Sequence, residues 1–305
     1  VLFMTSLLNS DSGDVERIAF LISEAKKGRI TILPPDINTS FVAFTPEEQN
    51  IRFGLLAIKN VGKNIVDAII EERLRGGPFP DMTDFLTRVY HKDLNKKSLE
   101  SLSKAGVFDS LGVDRSVLLS HIDEILAFSQ NIKKSHTKEN DPRSSGQSSL
   151  FGGSANAFSS PAFLQKGDTA ENNGHEANHQ RERLQWEKEL LGLYLSGHPL
   201  DPYAEKMKQG DVKSIKELLS SKAAMSCKIA GIISKIKRIV SKTGQPILFA
   251  EIEDLSDRLE AIVFADAINK NPTVWRENNA ILLAGRLSHR NGEPKFICEQ
   301  AVELR

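Results

Sequence analysis

Five consecutive residues, Lys59-Asn60-Val61-Gly62-Lys63, bring together full positive charge, a position without a Cβ and the start of a helical pattern. Nothing projects from the Gly62 Cα, so another backbone can approach it closely. The first amides of a helix starting at Lys63 have no intrahelical partner, and the helix dipole adds partial positive charge at that end. Exposed amides between two ammonium groups suit an anion, and a nucleic-acid phosphate is the anion that fits. An ordinary loop-to-helix turn would use the same glycine, so the neighbouring sequence has to decide.

Two further stretches have types and spacing that matter. Lys228, Lys235, Lys237, Arg238 and Lys242 occur with no acidic residue between Ser226 and Ala250, a local basic stripe of the kind a backbone-tracking groove needs. Phe249, Phe264 and Phe296 accompany it, and filling an interior is their competing use. Gln147-Ser148-Ser149-Leu150-Phe151 is an apolar island in polar surroundings; Leu150 and Phe151 would anchor in a partner's pocket while the Gln147 amide fixes register. His175, His179 and His198 have no neighbouring ligand or nucleophile set, and a solvated or structural role is expected of each.

The elements that must position these groups follow from periodicity. Val15, Ile18, Ala19, Ile22 and Ala25 recur at helical spacing, with Gly28 placed to end that helix. Phe41–Phe44 and Ile51–Phe53 read as a β-hairpin around a turn at residues 45–50. Val61, Ile65, Ala68 and Ile69 mark a helix ended by Gly76-Gly77-Pro78, and Asp81 caps the next. Ala105-Gly106-Val107-Phe108-Asp109 is a second tight turn before a helix capped by Asp114 and carrying Val117, Leu118, Ile122, Ile125 and Leu126. Only the first turn has lysines on both sides. The pair reads as a tandem helix-hairpin-helix in which the first turn contacts phosphate and the second is structural.

From about residue 131 to 180 apolar periodicity disappears, and such a stretch buries too little surface to offset the entropy of ordering. Residues 183–195 then read as an amphipathic helix. Beyond residue 211 the pattern is all-β, with five strand candidates (227–239, 246–252, 258–264, 280–288, 294–302) and a short helix at 265–270 between the third and fourth. That is the order of an OB-fold barrel.

Composition bounds the rest. Forty basic and forty acidic residues cancel, so nucleic-acid binding must come from local patches. No apolar run is long enough to span a bilayer. Cys227 and Cys298 lie far apart without zinc spacing, as reduced thiols of a cytoplasmic protein would. The chain opens mid-pattern at Val1, as a piece of a longer protein would.

The hairpins, tether and barrel in this order resemble the C-terminal half of the α subunit of bacterial DNA polymerase III, the C family of replicative polymerases. The resemblance is carried by Ile32-Leu33-Pro34-Pro35-Asp36-Ile37-Asn38, Ile51-Arg52-Phe53-Gly54-Leu55, Ala57-Ile58-Lys59-Asn60-Val61-Gly62, Gly106-Val107-Phe108-Asp109 and Leu191-Gly192-Leu193-Tyr194-Leu195-Ser196-Gly197-His198-Pro199-Leu200. It implies a multidomain α + β chain: the end of a fingers domain (1–50), a tandem helix-hairpin-helix DNA-binding domain (51–130), a flexible linker with a clamp-binding peptide (131–180), a connecting helix (181–210) and an OB-fold (211–305). The implied partners are duplex DNA, single-stranded template, the sliding clamp and other holoenzyme subunits, in an assembly associated with a 3′–5′ exonuclease. The family's palm aspartates lie upstream, so no catalytic residue and no metal site is expected here; magnesium belongs to the full polymerase. The family's full-length form often continues past the barrel into a domain that binds the clamp loader. The alternative is a non-catalytic repair scaffold or an error-prone paralogue built from the same modules.

Overall fold

The computed structural model describes residues 1–11, 14–89, 91–139, 161, 164, 176–221, 226–241, 243–289 and 293–304. The chain divides into two compact units, Val1–Ser196 and Gly197–Arg305.

In the first unit, α1 (Leu2–Ser10) and α2 (Val15–Lys27) lead into a small sheet of β1 (Ile32–Leu33), β2 (Thr45–Glu47) and β3 (Asn50–Arg52), in the order β1-β3-β2. α2 ends through a left-handed Arg29 (φ 61°), one residue after the glycine expected to do so. The hairpin's first strand is displaced from its expected place: Thr45–Glu47, within the expected turn at 45–50, forms β2 in place of residues 41–44, while β3 falls within one residue of the expected second strand, and Glu48 supplies the left-handed turn residue. Pro46 is tolerated because β2 is an edge strand, where a missing amide breaks no interior ladder. Phe44 and Phe53, both buried, pack edge to face at 4.7 Å below it.

The next helices are α3 (Lys63–Gly76), α4 (Met82–Arg88), α5 (Lys96–Lys104), α6 (Arg115–Ser120) and α7 (Ile122–Glu139). Gly77 ends α3 at φ 79°, and the Asp81 side chain accepts from the Asp84 amide at 2.8 Å. The single helix expected after Asp114 is two, broken at His121. Ile65, Ile69, Phe85, Leu99, Val107 and Ile125 are completely buried in one core. α7 runs to Glu139 and α8 spans Glu176–Leu191, so helix enters both ends of the stretch read as a linker; the 183–195 helix starts earlier and stops at Leu191. Gln147, Leu150, Phe151 and His175 lie outside the described residues.

The second unit begins with α9 (Ala204–Gln209), β4 (Val212–Lys213) and α10 (Ile215–Ser220). Five strands follow: β5 (Ser226–Val240), β6 (Pro246–Glu253), β7 (Arg258–Phe264), β8 (Ala280–Ser288) and β9 (Lys295–Glu303), with α11 (Ala265–Lys270) between β7 and β8. The order is β5-β6-β7-β9-β8, and β8 pairs back onto β5, which closes the barrel. β7 and β9 run parallel and the other barrel pairs antiparallel. A three-stranded meander, a helix and two strands that close the sheet are the OB-fold arrangement. Ile229, Ile233, Ala261, Leu283 and Phe296 fill the interior.

Candidate nucleic-acid interface

The first hairpin turn is held from below by apolar side chains. Ile58 and Val61 are buried beneath it, and the Val61 amide donates to the Ile58 carbonyl at 3.2 Å. Asn60 adopts a left-handed conformation (φ 67°), which asparagine tolerates better than most residues, and its side-chain amide donates to Ser101 Oγ at 3.3 Å. Val61 therefore faces the core, and Asn60 sets the turn.

Gly62 is the N-cap of α3, at φ −85° and ψ 156°, and no side chain among the described residues caps this helix end. A Cβ built at Gly62 would meet nothing within 4 Å. The fold itself does not require this glycine. Lys59, Gly62, Lys63 and Asn64 are all exposed. Lys63 Nζ lies 2.6 Å from Asp67, and the Asn64 amide donates to Asp93 at 2.9 Å. Lys59 makes no ion pair among the described residues. The result is an exposed, uncapped helix terminus flanked in sequence by Lys59 and by Lys63, whose ammonium is paired with Asp67.

The second turn uses similar residue types differently. Gly106 sits at φ 81°, and a Cβ there would lie 2.2 Å from Arg115 Nη2. The Arg115 side chain is buried, bonds to both Asp109 carboxylate oxygens and donates to the Lys104 carbonyl at 3.0 Å. An internal guanidinium occupies the space over this glycine. Phe108 is buried against Phe85, their rings 5.0 Å apart.

On the barrel, the basic stripe is divided by a β-bulge. Ile233 pairs with Ile252 and Lys235 with Glu251, which leaves Ser234 as an extra residue. The extra residue reverses the alternation, so Lys228 before the bulge and Lys235 and Lys237 after it all face outward. Arg238 has the inward parity, paired with Leu248, but is exposed near the strand's end. Lys242 lies outside the described residues. Lys237, Ile239, Phe249, Glu260 and Lys295 line a shallow groove of about 260 Å³ on the outer face. Of the three phenylalanines, Phe296 fills the interior, Phe249 lines the groove and Phe264 is exposed.

Sequence distance concealed one property of this face. Glu251 lies directly across from Lys235, and Glu260 across from Glu251. Glu260 pairs with Lys295, and Arg258 approaches Glu251 at 3.4 Å. The acid-free stretch of sequence is thus lined by carboxylates from the next two strands, and its field is weaker than the stripe implies.

The remaining candidates take structural places. The His179 ring is hydrogen-bonded with Ser116. His198 Nδ1 accepts from the Leu200 amide at 3.2 Å, while its own amide donates to Asp201. Burial pushes the Cys298 thiol up to about 12 and raises that of Cys227, so neither is an activated nucleophile. Among the described residues no group of three His, Cys, Asp or Glu side chains is placed to hold a metal. No helix among them is long and apolar enough to cross a membrane.

A helix-hairpin-helix motif family matches residues 29–118, which include both turns. Solved structures similar to part of the chain include a replication protein A heterotrimer bound to single-stranded DNA (13% identical, 28% of this chain and 61% of that one, TM-score 0.23). Another is a mitochondrial single-stranded DNA binding protein from S. cerevisiae (12% identical, 27% and 96%, TM-score 0.24). The OB-fold assignment rests on strand order and register. Sequence relatives extend further. The chain is 33% identical to DNA polymerase III subunit alpha of Borreliella burgdorferi, over 99% of its own length and 25% of that protein. It is 30% identical to that of Treponema pallidum (99% and 24%) and 33% identical to that of Bacillus subtilis (99% and 25%). The resemblance read from the motifs thus runs through the whole chain, which is similar to a stretch spanning about a quarter of the length of bacterial DNA polymerase III α subunits.

Proposed function

We propose that the chain is a DNA-holding part of a replicative DNA polymerase. Its grip on duplex DNA is the turn Lys59–Gly62 with the first residues of α3. The observation that carries this reading is the uncapped N terminus of α3, with Gly62 facing open space between Lys59 and Lys63. A phosphate oxygen there accepts from the first amides of α3 while the two lysines supply charge. The contact reads no base, so it holds any sequence equally. The outer groove of the barrel takes single-stranded template, Phe249 offering a face for stacking and Lys235 and Lys237 tracking the backbone. Gln147, Leu150 and Phe151 form the peptide that docks on the sliding clamp. Nucleotidyl transfer belongs to residues outside this chain.

Fluorescence anisotropy with duplexes of unrelated sequence, titrated with salt, tests the grip. Gly62→Val and Lys63→Ala are expected to weaken binding equally across sequences, and unchanged binding would exclude the turn. For the tether, retention on immobilised sliding clamp is compared between the parent and the double variant Leu150→Ala/Phe151→Ala. Equal retention removes the peptide from the proposal.

A further inference from the structure

α8 lies well beyond the residues matched by the helix-hairpin-helix family, yet its last turn holds the first hairpin. The Lys59 amide donates to the Leu190 carbonyl at 3.0 Å, and Leu190 and Leu191 are buried in the same core as Ile58 and Val61. This end of α8 is itself pinned by a buried carboxylate. Glu187 is 2% exposed; one of its oxygens accepts from the amides of Leu195 and Ser196 at 2.8 and 3.0 Å. The other lies 3.9 Å from Arg115, the guanidinium that fills the second turn. Arg183 of α8 makes another tie, 2.6 Å from Asp114, the N-cap of α6. A carboxylate this deep is tolerated only with its partners in place. It therefore fixes where α8 ends, and the end of α8 fixes the Lys59 amide.

We infer that Glu187 is a positioning residue for the hairpin grip. It acts through the last turn of α8, whose Leu190 carbonyl sets the pose of Lys59–Gly62, so the phosphate site is completed by a helix from a distant part of the sequence. The inference rests on the phosphate reading above.

The test uses the full chain and two readouts, hydrogen exchange of the peptide spanning residues 54–62 and duplex affinity across a salt series. Glu187→Ala is expected to speed exchange in that peptide about tenfold while leaving the interior of α3 unchanged, because the opening is local. Duplex affinity falls about fivefold with an unaltered salt slope, since the number of phosphates contacted stays the same. Glu187→Gln, which keeps an oxygen for the two amides, restores exchange to within about twofold of the parent. Unchanged exchange in residues 54–62 overturns the inference, as does faster exchange with unchanged affinity. Equal acceleration throughout α3 also overturns it, because the effect is then general loosening. If Gly62→Val and Lys63→Ala leave affinity intact, the phosphate reading fails and the positioning role falls with it, while the exchange data still report whether Glu187 braces the turn.

Discussion

The two hairpin turns use related residues to opposite ends. Each carries a glycine just before or within a tight turn, and each lies over a buried apolar floor. Over Gly106 the protein places its own cation, Arg115, and secures it to Asp109 and Lys104. Over Gly62 it places nothing. A turn whose space is filled from within contributes stability, and one whose space is open is available to a ligand. Glycine spacing alone does not distinguish the two; the fate of the nearest charged side chain does.

That contrast can be broken most forcefully at the filled turn. Gly106→Val combines a left-handed φ with a Cβ in the place of Arg115 Nη2, and should cost about 3 kcal/mol of stability or more, read from urea unfolding. Gly62→Val should change stability by less than about 1 kcal/mol, since its side chain enters open space. Its effect belongs to binding, with duplex affinity down about tenfold in anisotropy as the added bulk keeps a phosphate off the amides. A large stability loss at Gly62 would erase the distinction between the turns. A smaller change sharpens it: Lys63→Ala should lower the slope of log affinity against log salt by about 0.9 if one phosphate contact is lost.

Acid provides the mildest probe. Burial raises the Asp114 carboxyl, but bonds from Ser116 and the charge of Arg183 outweigh it, so its folded value lies below the ordinary aspartate range. A depressed folded value means that the stability this group contributes is present above the unfolded value, about 3.9, and is lost as pH falls through the lower folded value. Hydrogen exchange in α6, beside the second turn, should therefore rise in acid before exchange at the start of α3.

Much of this architecture was legible in the sequence. The limits of β7, β8 and α11 follow directly from the residue pattern, and the barrel order follows from five strands with one helix in the expected gap. The first strand of the β-hairpin is not legible because Thr45-Pro46-Glu47 has turn composition, whereas pairing with β3 overrides local preference. The carboxylates facing Lys235 were hidden because register across strands, rather than nearness in sequence, makes them neighbours. The Arg115–Glu187 contact was equally out of reach, since nothing local to either residue announces the other.

The extra residue in β5 has a consequence for how this surface can change over time. Substitutions at Lys235 or Lys237 alter one outward position each. Loss of Ser234 would close the bulge and leave Lys235 across from Glu251, Lys237 outward and Ile236 inward, because the strand on either side already alternates in that phase. The lysines and the extra residue are therefore separable in inheritance. A lineage that drops the single residue keeps the basic face together with the fit of the core, so the identity of the two lysines is under tighter constraint than length at this point in the strand.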